Sequence, residues 1–249
     1  MIHRFIFPAF AALFFMALPV TVNAEGCPAR AQVSLFHSCE IPAIVDLQFH
    51  PLDLTRQPTD VLSVTGAYSS ADRFGVEGIA FDQERKISTR FQGWDGLLLV
   101  SPTGEPEIFN ATQVQLGSRK FNLKRQPDRK DFVTQAQSDG YSIIQSHLLI
   151  TDGLLDLRQV DNARRFVRRM FFTDSAGWGV YQTGSAKTLY DAAVEIQEAL
   201  NPDMVINLDM GAYNYCQKNS PTGFQPCGDL FTDTKNLTNL ITIQLPVAN

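Results

Sequence analysis

Long apolar runs are scarce in this sequence. Beyond the first two dozen residues no segment is apolar enough to span a bilayer, which takes roughly 20 consecutive residues. A basic stripe is missing too: 21 Lys and Arg stand against 26 Asp and Glu, for a formal charge of −5. That balance excludes the electrostatic footprint of a nucleic-acid binder. Repeats and low-complexity tracts are absent, and only 19% of residues are charged beside 44% apolar ones, so a packed globule is expected and disorder is not. The four cysteines include no C-x-x-C, and no histidine stands beside Cys216 or Cys227, which argues against a zinc site. No metal or other cofactor is expected.

The one apolar run present lies at the start. His3 and Arg4 precede an apolar stretch from Phe5 to Leu18, which ends in the small-residue sequence Val22-Asn23-Ala24. These are the three regions of a cleavable secretory signal, so residues 1–24 are set apart from the fold. Cys27 just past the run raises a lipoprotein signal, but Glu25 and the lack of Leu or Val upstream make a poor lipidation site. Cleavage would remove Arg4 and take the formal charge from −5 to −6. It would leave about 225 residues, enough for one full core. Export predicts a periplasmic or secreted protein in which disulfides persist. Of the three connectivities open to four cysteines, the spacing favours the local pairs Cys27 with Cys39 and Cys216 with Cys227. The expected organisation is a signal (1–24), a disulfide-bearing N-terminal segment (25–42) and one domain (43–249).

Strands are expected over 43–49, 61–64, 76–81, 97–100 and 107–109, separated by turn-rich pieces such as Pro102-Thr103-Gly104. The first half therefore reads as antiparallel sheet. A short surface helix is expected around 128–139, then one apolar strand over 142–150 and a turn at Asp152-Gly153. Segments 166–172 and 177–183 read as a hairpin with a loop of four or more residues. A helix follows, with Thr188 and Asp191 approximating a capping box and Leu189, Ala192, Ala193, Ile196 and Leu200 on one face. Strand 204–208 then delivers Asp209 to a sheet rim, a common place for α/β sites. A polar loop over 216–239 and a last strand at 240–245 are expected to close the sheet. The fold class is α+β, a single domain with a mixed, mostly antiparallel sheet and helices packed on it.

Four ordered segments carry a resemblance. They are VTGAYSSADRFGVEGIAF (64–81), IIQSHLLITDG (143–153), RRFVRRMFF (164–172) and INLDMGAYNY (206–215). In order and rough spacing this set resembles the phosphodiester glycosidase family, with Gly66, Tyr68, Gly78, Gln145, Ser146, Arg169, Asn207, Leu208, Asp209 and Gly211 matching. Thr65 departs where the family has Asn, Met170 where it has Thr, and Met210, Ala212 and Tyr213 where it has small residues. The resemblance covers about residues 43–215 and the closing strand, and it implies a sugar joined through C1 to a phosphodiester as substrate. Asp209 is then the candidate nucleophile, base or electrostatic stabiliser of a cationic sugar carbon. Arg169 is the candidate phosphate fork. Thr65, Gly66, Tyr68, Gln145, Ser146, His147, Asn207 and Gly211 are candidate substrate-binding residues, and Asp72 and Glu77 are candidates for a second carboxylate.

Structural roles compete at the same positions. Asp209 can cap its turn, Arg169 can belong to a solvated basic face with Arg164, Arg165 and Arg168, and His147 can be a satisfied core or rim histidine. Gln145 and Ser146 can satisfy backbone groups at a strand end, and Tyr68 can fill core or stack on sugar. The leading expectation is an exported hydrolase of a glycosyl phosphodiester or related envelope glycan. The alternative is a non-catalytic glycan-binding, exopolysaccharide or envelope-assembly protein that keeps the fold.

Overall fold

The alternation of apolar residues along each strand decides how the layers stack. In the computed structural model residues 27–28, 33–70, 75–210, 214–228 and 234–247 are described. The signal segment, Asp72 and Gly211 lie outside them.

Three sheets enclose a common core, and every strand pair among the described residues is antiparallel. The first sheet has six strands, in the order Phe36–His37, Gly177–Gln182, Arg169–Asp174, Met204–Asn207, Leu148–Thr151 and Leu154–Leu155. The second runs Arg85–Thr89, Ile79–Asp82, Ser142–Ser146, Gly96–Val100 and Pro106–Asn110. The third runs Gly223–Pro226, Cys216–Ser220, Asp60–Val64, Asn239–Gln244 and Ile44–Phe49.

Period two sorts neighbouring side chains between faces. Phe171 and Ile206 of the first sheet, Ala80, Leu98 and Ile144 of the second, and Leu62, Val64, Ile241 and Ile243 of the third meet in the central core. Their neighbours point outward. Met170, Phe172 and Val205 pack beneath the helix Leu189–Leu200, while Ile79, Phe81, Leu97, Leu99 and Ile143 pack with Phe132 and Ala136 of the helix Gln126–Ser138. Both outer faces are thus covered by a helix. Leu189–Leu200 starts as expected: Thr188 accepts the Asp191 N–H at 3.0 Å, and Asn201 closes the helix in the left-handed region.

Several expectations are corrected. The apolar run after residue 142 is two strands, Ser142–Ser146 and Leu148–Thr151, which belong to different sheets. Both are buried on both faces, and the polar residues Gln145, Ser146 and His147 fall where one ends and the other begins. The last strand, Asn239–Gln244, lies in the third sheet beside Asp60–Val64 and Ile44–Phe49, not in the sheet that delivers Asp209. Asp174 pairs with Gly177, so the hairpin loop is the two residues Ser175 and Ala176. The polar stretch after residue 215 contains the hairpin Cys216–Ser220/Gly223–Pro226, and a Cys216–Cys227 disulfide spans its base. The second disulfide joins Cys27 to Cys39. Among the described residues no helix is long and apolar enough to cross a membrane, which says nothing of a β-barrel.

Candidate functional site

Four chain segments converge where the three sheets meet. The first follows the strand Asp60–Val64. Gly66 and Ala67 donate their N–H groups to Asn239 Oδ1 at 3.2 and 2.6 Å, and Asn239 Nδ2 returns a bond to the Ala67 carbonyl at 2.9 Å. A side chain at Gly66 would place its Cβ 2.8 Å from Ile241 Cγ1, so only glycine fits there. This brace holds Tyr68 and Ser69 at the rim. Thr65 serves the same scaffold: it is fully buried and its Oγ1 accepts the Tyr215 N–H at 3.1 Å.

Asp209, just past the strand Met204–Asn207, bonds into that rim. Its N–H donates to the Gly66 carbonyl at 2.8 Å, and its Oδ2 accepts the Ser69 N–H at 3.0 Å. Only 7% of Asp209 is exposed. Burial pushes the carboxyl up to about 6, against the opposing pull of hydrogen bonds from Ser69 and the Met210 backbone.

Tyr68, which precedes Ser69, sits in a polar cluster that feels the charge of this carboxyl. Its hydroxyl accepts from Asn207 Nδ2 at 2.5 Å and lies 3.2 Å from His147 Nδ1. Burial, then the charge of Asp209, pushes the phenol up to about 12, so Tyr68 keeps its proton at neutral pH. Burial and then the Arg168 charge lower His147, which favours a neutral imidazole able to accept that proton at Nδ1. His147 is exposed to this site because it is the single residue at which the chain passes from the second sheet to the first. Asn207 is fully buried, and its Oδ1 has no partner among the described residues.

Gln145 shapes the site from behind. It is fully buried, accepts the Ile79 and Gln92 N–H groups at 3.1 Å each, and donates to the Gln92 and Trp94 carbonyls at 3.0 and 2.7 Å. Its whole amide is spent on backbone. The result is to fix Trp94 against Tyr68, ring centroids 4.8 Å apart, and against His147, 5.2 Å apart. Ser146 donates to the Asn207 carbonyl, joining the first two sheets at the site. Glu77 accepts a bond from Gln92 Nε2.

A cavity of about 420 Å³ opens beside this cluster, lined by Tyr68, Trp94 and His147 on one side and by the segment 157–168 with Tyr190 on the other. Arg168 faces it, and Arg169 does not line it. Arg169 is fully buried, and its guanidinium donates to Gln182 Oε1, Asn214 Oδ1 and the Tyr215 carbonyl at 2.7, 2.8 and 2.9 Å. Its own carbonyl accepts the Leu208 N–H at 2.8 Å, so it grips the chain on both sides of the Asp209 turn. Burial pushes this guanidinium down to about 9, and it stays charged at neutral pH.

The structure therefore brings Asp209, Tyr68, Ser146, His147 and Asn207 together and sets Thr65, Gly66, Gln145 and Arg169 behind them as scaffold. Sequence reasoning missed Trp94, Arg158, Arg164, Arg168, Tyr190 and Asn239. Only the run Arg164, Arg165, Arg168 carried a signal, and which of two adjacent arginines faces a pocket depends on strand register. Among the described residues Cys27, His37 and Cys39 bring their ligand atoms within 4.8 Å of one another. The disulfide removes both thiolates, and His37 Nε2 is 3.2 Å from Asp174 Oδ2, so this cluster is not set up for a cation.

No family model matches the sequence, and no curated protein matches it. Among solved structures it is similar to the catalytic domain of zebrafish N-acetylglucosamine-1-phosphodiester alpha-N-acetylglucosaminidase, auto-inhibited by its pro-peptide. The TM-score is 0.54 at 13% identity, over 82% of this chain and 73% of that one. A hypothetical protein from Synechocystis gives a TM-score of 0.43 at 11% identity, over 82% of this chain and 57% of that one, and carries no argument. The chain has an α+β fold, mostly antiparallel sheets with two helices, that resembles the zebrafish catalytic domain.

Proposed function

We propose that this chain is an exported hydrolase that cleaves a glycosyl phosphodiester. The observation that carries the reading is the place of Tyr68: it lines the cavity, bonds Asn207, and precedes Ser69, whose N–H binds the Asp209 carboxylate. The aromatic side of the cavity suits a sugar ring, and Arg168 beside it suits the phosphate. In the reaction the bond between sugar C1 and the ester oxygen breaks, and its electron pair leaves with the phosphomonoester. Water adds to C1 and gives up a proton. A carboxyl with a pKa of about 6 is suited to take that proton or to stabilise the cationic carbon. A phosphate leaving group needs little acid assistance, which fits a cluster whose other members are neutral. Arg169 then acts as a brace that holds the Asp209 turn in place. Export is supported by the signal-like N-terminus and the two disulfides.

A second reading, a glycan-binding or envelope-assembly protein without activity, is favoured by one feature: Asp209 is not among the residues that line the cavity. Product analysis in ¹⁸O-labelled water tests the hydrolase. The label is expected in the sugar hydroxyl at C1. Label in the phosphate would mean cleavage on the phosphorus side and would refute the role given to Asp209, and no product from any diester would leave the binding reading.

A further inference from the structure

The cavity holds more apolar surface than a sugar needs. Leu157, Val160, Ala163, Phe166 and Leu189 complete a wall opposite Trp94, and among the described residues no carboxylate lines the cavity. Three guanidinium groups do: Arg158, Arg164 and Arg168. None of the three is ion-paired among the described residues. Adjacent Arg165, which does not line the cavity, is paired with Asp191 at 3.2 Å. Acids are therefore close by and are kept off the cavity arginines. Arg168 is anchored by bonds to the Lys187 and Arg164 carbonyls, both 3.1 Å, which hold its charge in place without neutralising it.

The rim of this cavity carries apolar side chains in water. Val160 is 65% exposed and Phe166 40%. Cations with no acid beside them select an anion, and apolar walls continued to an exposed apolar rim select a chain that extends out of the site. We propose that the cavity binds an amphipathic phosphate ester, a phosphate carrying an aliphatic chain, with the phosphate at the arginines and the chain along Leu157, Val160 and Phe166. This deepens the hydrolase reading by giving the substrate an aliphatic aglycone, and it rests on that reading only for which bond is cut.

Calorimetric titration of the signal-free chain tests it, with dodecyl phosphate below its micelle concentration, inorganic phosphate and uncharged dodecyl maltoside as probes. Dodecyl phosphate is expected to bind at least about tenfold more tightly than either of the others, because it alone uses both features. The double substitution Arg158→Gln with Arg164→Gln should weaken it about tenfold or more, and the uncharged change Val160→Asn should weaken it severalfold without weakening inorganic phosphate. Equal affinity for dodecyl phosphate and dodecyl maltoside would overturn the proposal, as would unchanged binding in the double variant. Turnover of a sugar phosphodiester with a short, water-soluble aglycone, measured in parallel, separates the two claims. Turnover without dodecyl phosphate binding sinks this proposal and keeps the hydrolase. Binding without turnover of any diester does the reverse.

Discussion

Asp209 is buried as an acid with only part of its charge compensated, and this has a consequence for stability. The unfolded chain releases this proton near pH 4 and the folded chain near pH 6, so the folded state holds more protons between them. Stability should fall as pH rises from about 4 to about 6 and then level off. Two pH units correspond to about 3 kcal/mol. Asp209→Asn keeps an oxygen for the Ser69 N–H and removes the charge. Denaturant unfolding is expected to find the variant more stable than wild type by up to about 3 kcal/mol at pH 7.5 and little changed at pH 4. Equal destabilisation at both would show the charge is not strained. The two neighbouring arginines should separate in the same way. Arg169→Ala strips a charged donor from Gln182, Asn214 and the Tyr215 carbonyl, so a loss of about 3 kcal/mol or more is expected in a thermal melt. Arg168→Gln, which gives up two bonds to backbone carbonyls, should cost less in the melt than Arg169→Ala and weaken phosphate-bearing ligands about tenfold in a titration. The reverse pattern would return the phosphate to Arg169.

At the scale of the element, the helix Leu189–Leu200 was the most legible piece. Its cap and its apolar spacing both lie in one local stretch, and Ala192, Ala193, Ile196 and Leu200 are buried as that spacing requires, with Leu189 partly so. Ile196→Ala should cost about 2 to 5 kcal/mol. A loss under about 0.5 kcal/mol in chemical denaturation would mean the face is wrongly assigned. The passage at His147 was not legible. Both strands flanking it are buried on both faces, and the polar residues Gln145, Ser146 and His147 that mark the seam come with no glycine or proline, so the run reads as one strand. The hairpin Cys216–Ser220/Gly223–Pro226 was hidden for the opposite reason. It is mostly polar and exposed, and its pairing with Asp60–Val64 is a long-range contact that local composition does not encode. Segment 156–168 has no period of either kind, yet it supplies most of the cavity wall.

For the whole molecule, three sheets share one core, and each of two helices covers an outer face. The site sits where the sheets meet because strand ends there carry the polar groups that the core cannot hold. Of the residues that the motifs singled out, Tyr68 and His147 line the cavity, and Thr65, Gly66, Gln145 and Arg169 are buried behind it. Likeness to the zebrafish catalytic domain concerns the fold, so the proposed function rests on the chemistry argued for Tyr68, His147, Asn207, Asp209 and the cavity arginines. The most direct measurement is turnover by the signal-free chain on a panel of chromogenic sugar-phosphate diesters and the matching uncharged glycosides, with Asp209→Asn alongside. The account predicts that wild type hydrolyses at least one diester and not its uncharged glycoside, and that Asp209→Asn, folded and at least as stable at pH 7.5, does not. Equal turnover by the two proteins, or none by wild type on any diester, would contradict it.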